Sequence, residues 1–100
     1  MRTRARVDAN HVEIATAFRQ AGWSVLSLAS VGKGCPDLLV QHPAVDDLYL
    51  VEVKTKAGKL TADQARFQQA FTVKVIRSVD DVQALIEGES RASGGGRDQA

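Results

Sequence analysis

The sequence predicts a single α/β domain in the order α-β-β-β-α-β-α: one four-stranded mixed sheet flanked by helices. Three observations predict it. Short, nearly unbroken apolar runs at Trp23–Ala29, Pro36–Val40 and Leu48–Lys54 are bounded by Gly, Pro or Asp and read as strands. One stretch of helical spacing precedes them and another follows, each with terminal signals. A fourth apolar run, Val73–Ile76, returns after the second helix, and such a β-α-β unit is parallel and right-handed.

The composition is that of an ordinary soluble domain, 44% apolar and 25% charged over 100 residues. A chain of this size buries roughly 60–70% of its unfolded surface, enough for one modest core. No apolar run approaches the roughly 20 residues of a membrane span. The N-terminal Met1-Arg2-Thr3-Arg4-Ala5-Arg6 lacks the apolar centre of a signal peptide. Cys35 stands alone, which excludes an intrachain disulfide and agrees with a reducing, cytoplasmic setting. The net charge of +1 is far from the strong basicity common in nucleic-acid binders. Basic residues do gather at Arg2, Arg4 and Arg6 and at Lys54, Lys56 and Lys59, either as solvated faces or as nucleic-acid contacts.

Residues 1–6 read as a loose basic arm. A helix is expected from Asp8 to Gln20, with Val7, Ile14, Phe18 and Ala21 as its apolar stripe and Gly22 as a left-handed cap. Glu13 lies about 100° from Ile14, so it faces either water or the edge of what the helix covers. Ser30–Gly34 is a glycine loop without P-loop spacing. Its glycines suit a tight turn or a close approach to a ligand, and Lys33 between them touches a phosphate or nothing. Pro36 opens the second strand without loss of a ladder bond. His42–Asp47 is a turn, and His42 has no Cys or His partner at ligand spacing. Short connections make the first three strands an antiparallel meander.

Thr61-Ala62-Asp63-Gln64 fits a capping box at the start of the second helix. Gln64 also shares a face with Phe67 and Phe71, the inward stripe, so it serves the cap or a site. Ser78 caps a last helix, Val79–Glu87, with Val82, Leu85 and Ile86 inward and Gly88 as its stop. Residues 89–100 have almost nothing to bury and read as disordered, which leaves a folded domain over 7–88.

Charged residues interrupt the strands at three places. Asp37 stands at the mouth of the second strand, and Glu52 and Lys54 project from one face near the end of the third. Two carboxylates at the ends of adjacent strands repel each other unless a cation lies between them. Hard cations such as Mg²⁺ take one or two carboxylates with phosphate and water, and a lysine beside them orients a water or neutralises a phosphate. This is a parts set for metal-assisted phosphodiester hydrolysis. No Cys/His cluster, nucleophile with a base, or organic-cofactor loop supports another enzyme class.

The order of elements, with Gly34-Cys35-Pro36-Asp37-Leu38, Leu50-Val51-Glu52-Val53-Lys54, Gly58-Lys59-Leu60-Thr61-Ala62-Asp63-Gln64 and Val75-Ile76-Arg77-Ser78, resembles the PD-(D/E)XK nuclease superfamily and its small VRR-NUC (virus-type replication-repair nuclease) domains. The resemblance runs from Glu13 to the last helix. It implies a restriction-endonuclease-like core and an Mg²⁺- or Mn²⁺-dependent DNA endonuclease. It also implies selection of branched DNA such as Holliday junctions or flaps, and a bacterial or phage setting in repair or replication. Asp37 and Glu52 would bind the metal with the Val53 carbonyl. Lys54 would position the attacking water, Gln64 would lie near metal and phosphate, and Glu13 would be the first-helix glutamate at the metal. Lys33, Lys56 and Lys59 would meet nucleic acid. A homodimer would supply two active sites for a symmetric junction. The competing readings are a nuclease-like module that binds nucleic acid without cutting it, and a plain interaction domain. One departure is visible: only Ala65–Thr72 separate Gln64 from Val73, shorter than is usual in the family and without a glycine.

Overall fold

The first helix, α1 (Arg2–Gln20), begins at Arg2 rather than at the expected Asp8. The stretch expected as a loose arm is therefore helical from Arg2, because Arg and Ala are strong helix formers and continue the helix backwards. The chain is described by a computed structural model that covers the backbone of residues 2–88 and the side chains of residues 10–88. The side chains of Arg2, Arg4, Arg6 and Val7 and the tail over 89–100 lie outside the described residues.

Helix α1 ends as expected, at Gly22 with φ +91°. The Trp23 N–H donates to Phe18 O at 3.0 Å and the Gly22 N–H to Arg19 O at 2.9 Å. These two bonds form a Schellman motif, whose usual apolar contact is made by the Phe18 and Trp23 rings, 5.5 Å apart.

Four strands follow: β1 (Ser24–Ser27), β2 (Leu38–Gln41), β3 (Leu48–Val53) and, after helix α2 (Ala62–Ala70), β4 (Val73–Ile76). They lie in the order β1-β2-β3-β4. The first two pairings are antiparallel and β3–β4 is parallel, as the connections dictate. A third helix, α3, occupies residues 79–88. Ser78 Oγ accepts the Asp81 N–H at 3.3 Å, the cap expected there.

The two faces of the sheet differ. On one, Leu38, Val40, Val51, Val53 and Ile76 join Ile14 and Phe18 of α1 and Val82 of α3 in a single buried core. On the other, strand alternation places the row Leu26, Leu39, Leu50 and Val73, paired rung by rung across all four strands. Leu26 is 57% exposed. Helix α2 contributes no buried residue. Phe67 and Phe71 were expected on an inward stripe. They stack on each other at 4.6 Å instead, with Phe71 exposed, because a nine-residue helix covers only part of this face.

Candidate active site

The register explains why the two carboxylates meet. Leu38 pairs with Val51 in antiparallel fashion, so the preceding Asp37 falls opposite Glu52. Glu52 alternates with the core residues Val51 and Val53 and therefore points to the opposite face, toward α2. Lys54, two residues on, follows it. Asp37 and Glu52 meet in a cleft at the end of the sheet, which Asn10, His11, Lys54 and Gln64 also line.

Asp37 is held by backbone. Its Oδ2 accepts the Val53 N–H at 2.8 Å. Val53, expected to offer its carbonyl to a metal, thus first serves to fix Asp37 through its amide. Glu52 is 3% exposed, a carboxyl among apolar strands. Its Oε2 accepts from Gln64 Nε2 at 2.9 Å and lies 3.8 Å from Lys54 Nζ. Burial above all, then the charge of Asp37 and a carboxyl–carboxyl hydrogen bond with it, push the Glu52 pKa up to about 8, while Lys54 pulls it down. The pair thus holds a proton between carboxyls that would otherwise repel.

Gln64 forms the expected cap and also reaches Glu52. Its Oε1 accepts the Thr61 N–H at 2.9 Å while Thr61 Oγ1 accepts the Gln64 N–H at 3.1 Å, a complete capping box. The other end of the same amide donates to Glu52. Cap and site are not alternatives, because an amide carries an acceptor and a donor on opposite sides.

Helix α1 departs from expectation. Glu13 is exposed and does not line the cleft. The helix presents Asn10 and His11 there instead, with His11 Nε2 at 3.6 Å from Asp37 Oδ2 and Asn10 Nδ2 donating to Lys54 O at 3.4 Å. A helical step of about 100° turns Glu13 away from the face that carries Ile14. Reading the residues one by one missed His11, yet position 11 falls on the line of Val7, Ile14 and Phe18, where a polar residue interrupts the apolar stripe.

Lys33, Lys56 and Lys59 are exposed, and none lines the cleft. Lys33 adopts a left-handed φ of 57° between Gly32 and Gly34. The close approach at this loop is to the chain itself: a Cβ on Gly34 would stand 2.5 Å from Asp63 O. Among the described residues no group of three or more His, Cys, Asp or Glu side chains is arranged to hold a metal ion. The carboxylates at the cleft are the pair Asp37 and Glu52.

The VRR-NUC domain family matches residues 4–79. A solved structure titled "VRR_NUC domain" is similar at 29% identity and a TM-score of 0.64, covering 81% of this chain and 94% of that one. No curated protein matches. With its mixed sheet, its paired carboxylates on neighbouring strands and the family's match over most of its length, the chain belongs to the VRR-NUC domain family, nuclease-like domains of the PD-(D/E)XK type.

Proposed function

We propose that this protein is a DNA endonuclease that hydrolyses phosphodiester bonds with Mg²⁺ or Mn²⁺. The observation that carries the reading is the Asp37–Glu52 pair, opposed across β2 and β3 with Lys54 beside it. Asp37 and Glu52 would hold the ion, with the Val53 carbonyl. When bound, the ion polarises the scissile phosphate and lowers the pKa of a bound water. The chain's own part is placement. Val53 N–H and His11 restrain Asp37. Gln64 restrains Glu52. Lys54 brings an ammonium to the point where charge builds on the phosphate, and preorganised charge of this kind is commonly worth about 10²–10³ in rate. Lys33, Lys56 and Lys59 are the cations available to backbone phosphates.

The favoured substrate is a branched DNA, such as a four-way junction or a flap, cut by a homodimer. A domain this small offers little footprint alone, and a twofold pair supplies two sites. The apolar row of Leu26, Leu39, Leu50 and Val73, with the exposed Leu48 beside it, is the surface a second copy would cover.

The test is cleavage of labelled four-way junction, flap, nicked duplex and single strand with Mg²⁺, Mn²⁺ or EDTA. Asp37→Ala, Glu52→Ala and Lys54→Ala are expected to abolish metal-dependent products while circular dichroism stays that of the wild type. Retained cleavage in the Asp37 or Glu52 variant overturns the assignment. DNA retention without products on any substrate would instead make the protein a binding module.

A further inference from the structure

Arg77 belongs to none of the roles assigned above, yet its guanidinium reaches the backbone carbonyls of a turn distant in the chain. Its Nη1 lies 2.8 Å from Thr55 O, 2.6 Å from Gly58 O and 3.4 Å from Lys56 O. These carbonyls belong to the turn by which the chain leaves β3. The turn is closed by the Gly58 N–H, which donates to Thr55 O at 3.1 Å. Three carbonyl oxygens brought to one point repel one another unless a cation sits among them. The guanidinium brings a permanent positive charge and the two N–H donors of Nη1 to that point.

The parallel register puts Arg77 there. Val53 pairs with Ile76, and the Lys54 N–H donates to Ile76 O at 3.0 Å. The residue after Ile76 therefore runs beside the chain leaving Lys54. Arg77 is itself anchored, because its N–H donates to Asp81 Oδ2 at 2.8 Å, at the capped start of α3. Thr55 and Gly58 line the same cleft as Glu52 and Lys54. The turn is tight as well: a Cβ on Gly58 would stand 2.9 Å from Thr55 Oγ1.

We infer that Arg77 is a positioning residue of the active site: its guanidinium clamps the Thr55–Gly58 turn, and so fixes the backbone from which Lys54 reaches Glu52 and on which Lys56 and Lys59 are presented to the substrate. The inference rests on the nuclease reading for its catalytic consequence, but the clamp itself is measurable without DNA.

The experiment compares wild type, Arg77→Lys, Arg77→Ala and Lys54→Ala. Amide hydrogen exchange is read at residues 55–58 in the free protein, and turnover is read at saturating junction DNA. In Arg77→Ala the Gly58 amide is expected to exchange faster while the β2 amides keep their wild-type rates. Turnover is expected to fall by about 10²-fold, the cost of a small misplacement of a catalytic group. Arg77→Lys keeps a positive charge with its donors on one nitrogen, as Nη1 presents them, and is expected to retain more turnover than Arg77→Ala. Millimolar guanidinium should restore both readouts in Arg77→Ala and leave Lys54→Ala inactive, a rescue that loss of general stability would not give. Wild-type turnover in Arg77→Ala overturns the inference, as do equal losses in Arg77→Lys and Arg77→Ala or lost turnover with unchanged exchange at 55–58. If the wild type cuts no DNA, the nuclease reading fails, and the exchange comparison still decides whether the clamp exists.

Discussion

The two faces of the sheet divide the work of the molecule. On the sealed face Ile14, Phe18, Val40, Val51 and Val82 are fully buried, drawn from two helices and two strands. On the open face the apolar row thins into exposed Leu26 and Leu48, α2 contributes no buried residue, and among the described residues the buried charged side chain is Glu52. Neighbouring residues of a single strand take part in both: Val51 and Val53 close the core, and Glu52 between them carries a proton that its surroundings make hard to lose. Stability is concentrated on one face, while the other holds a carboxyl pair that opposes folding once Glu52 is ionised.

Breaking the sealed face should have the largest effect on stability. Phe18→Ala removes a ring at the centre of the core and is expected to cost about 3–5 kcal/mol, read as a lowered denaturant midpoint. A loss below about 1 kcal/mol would show that the sealed face does not hold the fold. The open face should show itself next, through pH. Glu52 is raised from 4.5 to about 8 in the folded chain, so the unfolded chain releases its proton more readily. The contribution of Glu52 to metal-free stability is therefore fully present below about pH 4.5 and is lost as pH rises to about 8, by an amount on the order of a few kcal/mol. Glu52→Gln should flatten that fall, leaving the variant more stable than the wild type at pH 9. Mg²⁺ should stabilise the wild type at pH 9 and leave the variant nearly unchanged. Urea titrations at pH 5 and pH 9, with and without the ion, measure all of this.

Smaller effects sharpen the division. Gln64→Ala should cost about 1 kcal/mol through the lost cap and reduce cleavage as well, whereas Gln64→Glu keeps the cap acceptor and sets a carboxylate against Glu52. Equal activity in the two variants would show that the amide donor does not matter to the site. Leu26→Ser should change monomer stability by no more than about 0.5 kcal/mol, yet shift a dimer to monomer in light scattering. An unchanged dimeric mass would move the second copy to another surface, and a monomeric wild type would remove the dimer altogether.

Much of this was legible in the residues. The strand positions, the antiparallel meander, the parallel return and both helix caps follow from apolar runs, glycines and the Thr61–Gln64 spacing. Asp37, Glu52 and Lys54 came together as their places at strand ends require. Helix α1 was legible in type but not in aim. His11 interrupts the stripe and Glu13 flanks it, and what the two face depends on the rotation of α1 about its own axis, which packing of Ile14 and Phe18 on the sheet decides. The length of α1 escaped because no residue near Asp8 forbids a helix from running further back. The shallow seat of α2 escaped because two phenylalanines at helical spacing read as inward even when they are spent on each other.

Gln64 has a last consequence, of a practical kind. Its side-chain amide group is anchored at the oxygen end by a helix terminus and points its nitrogen at Glu52. That NH₂ pair therefore reports from inside the cleft without any label. Arrival of a cation at the carboxyls would alter the acceptor it faces and move its two proton resonances, while the Thr61 amide at the other end stayed in place as an internal reference. The spectrum of one glutamine would distinguish an ion seated in the cleft from one held loosely on the surface.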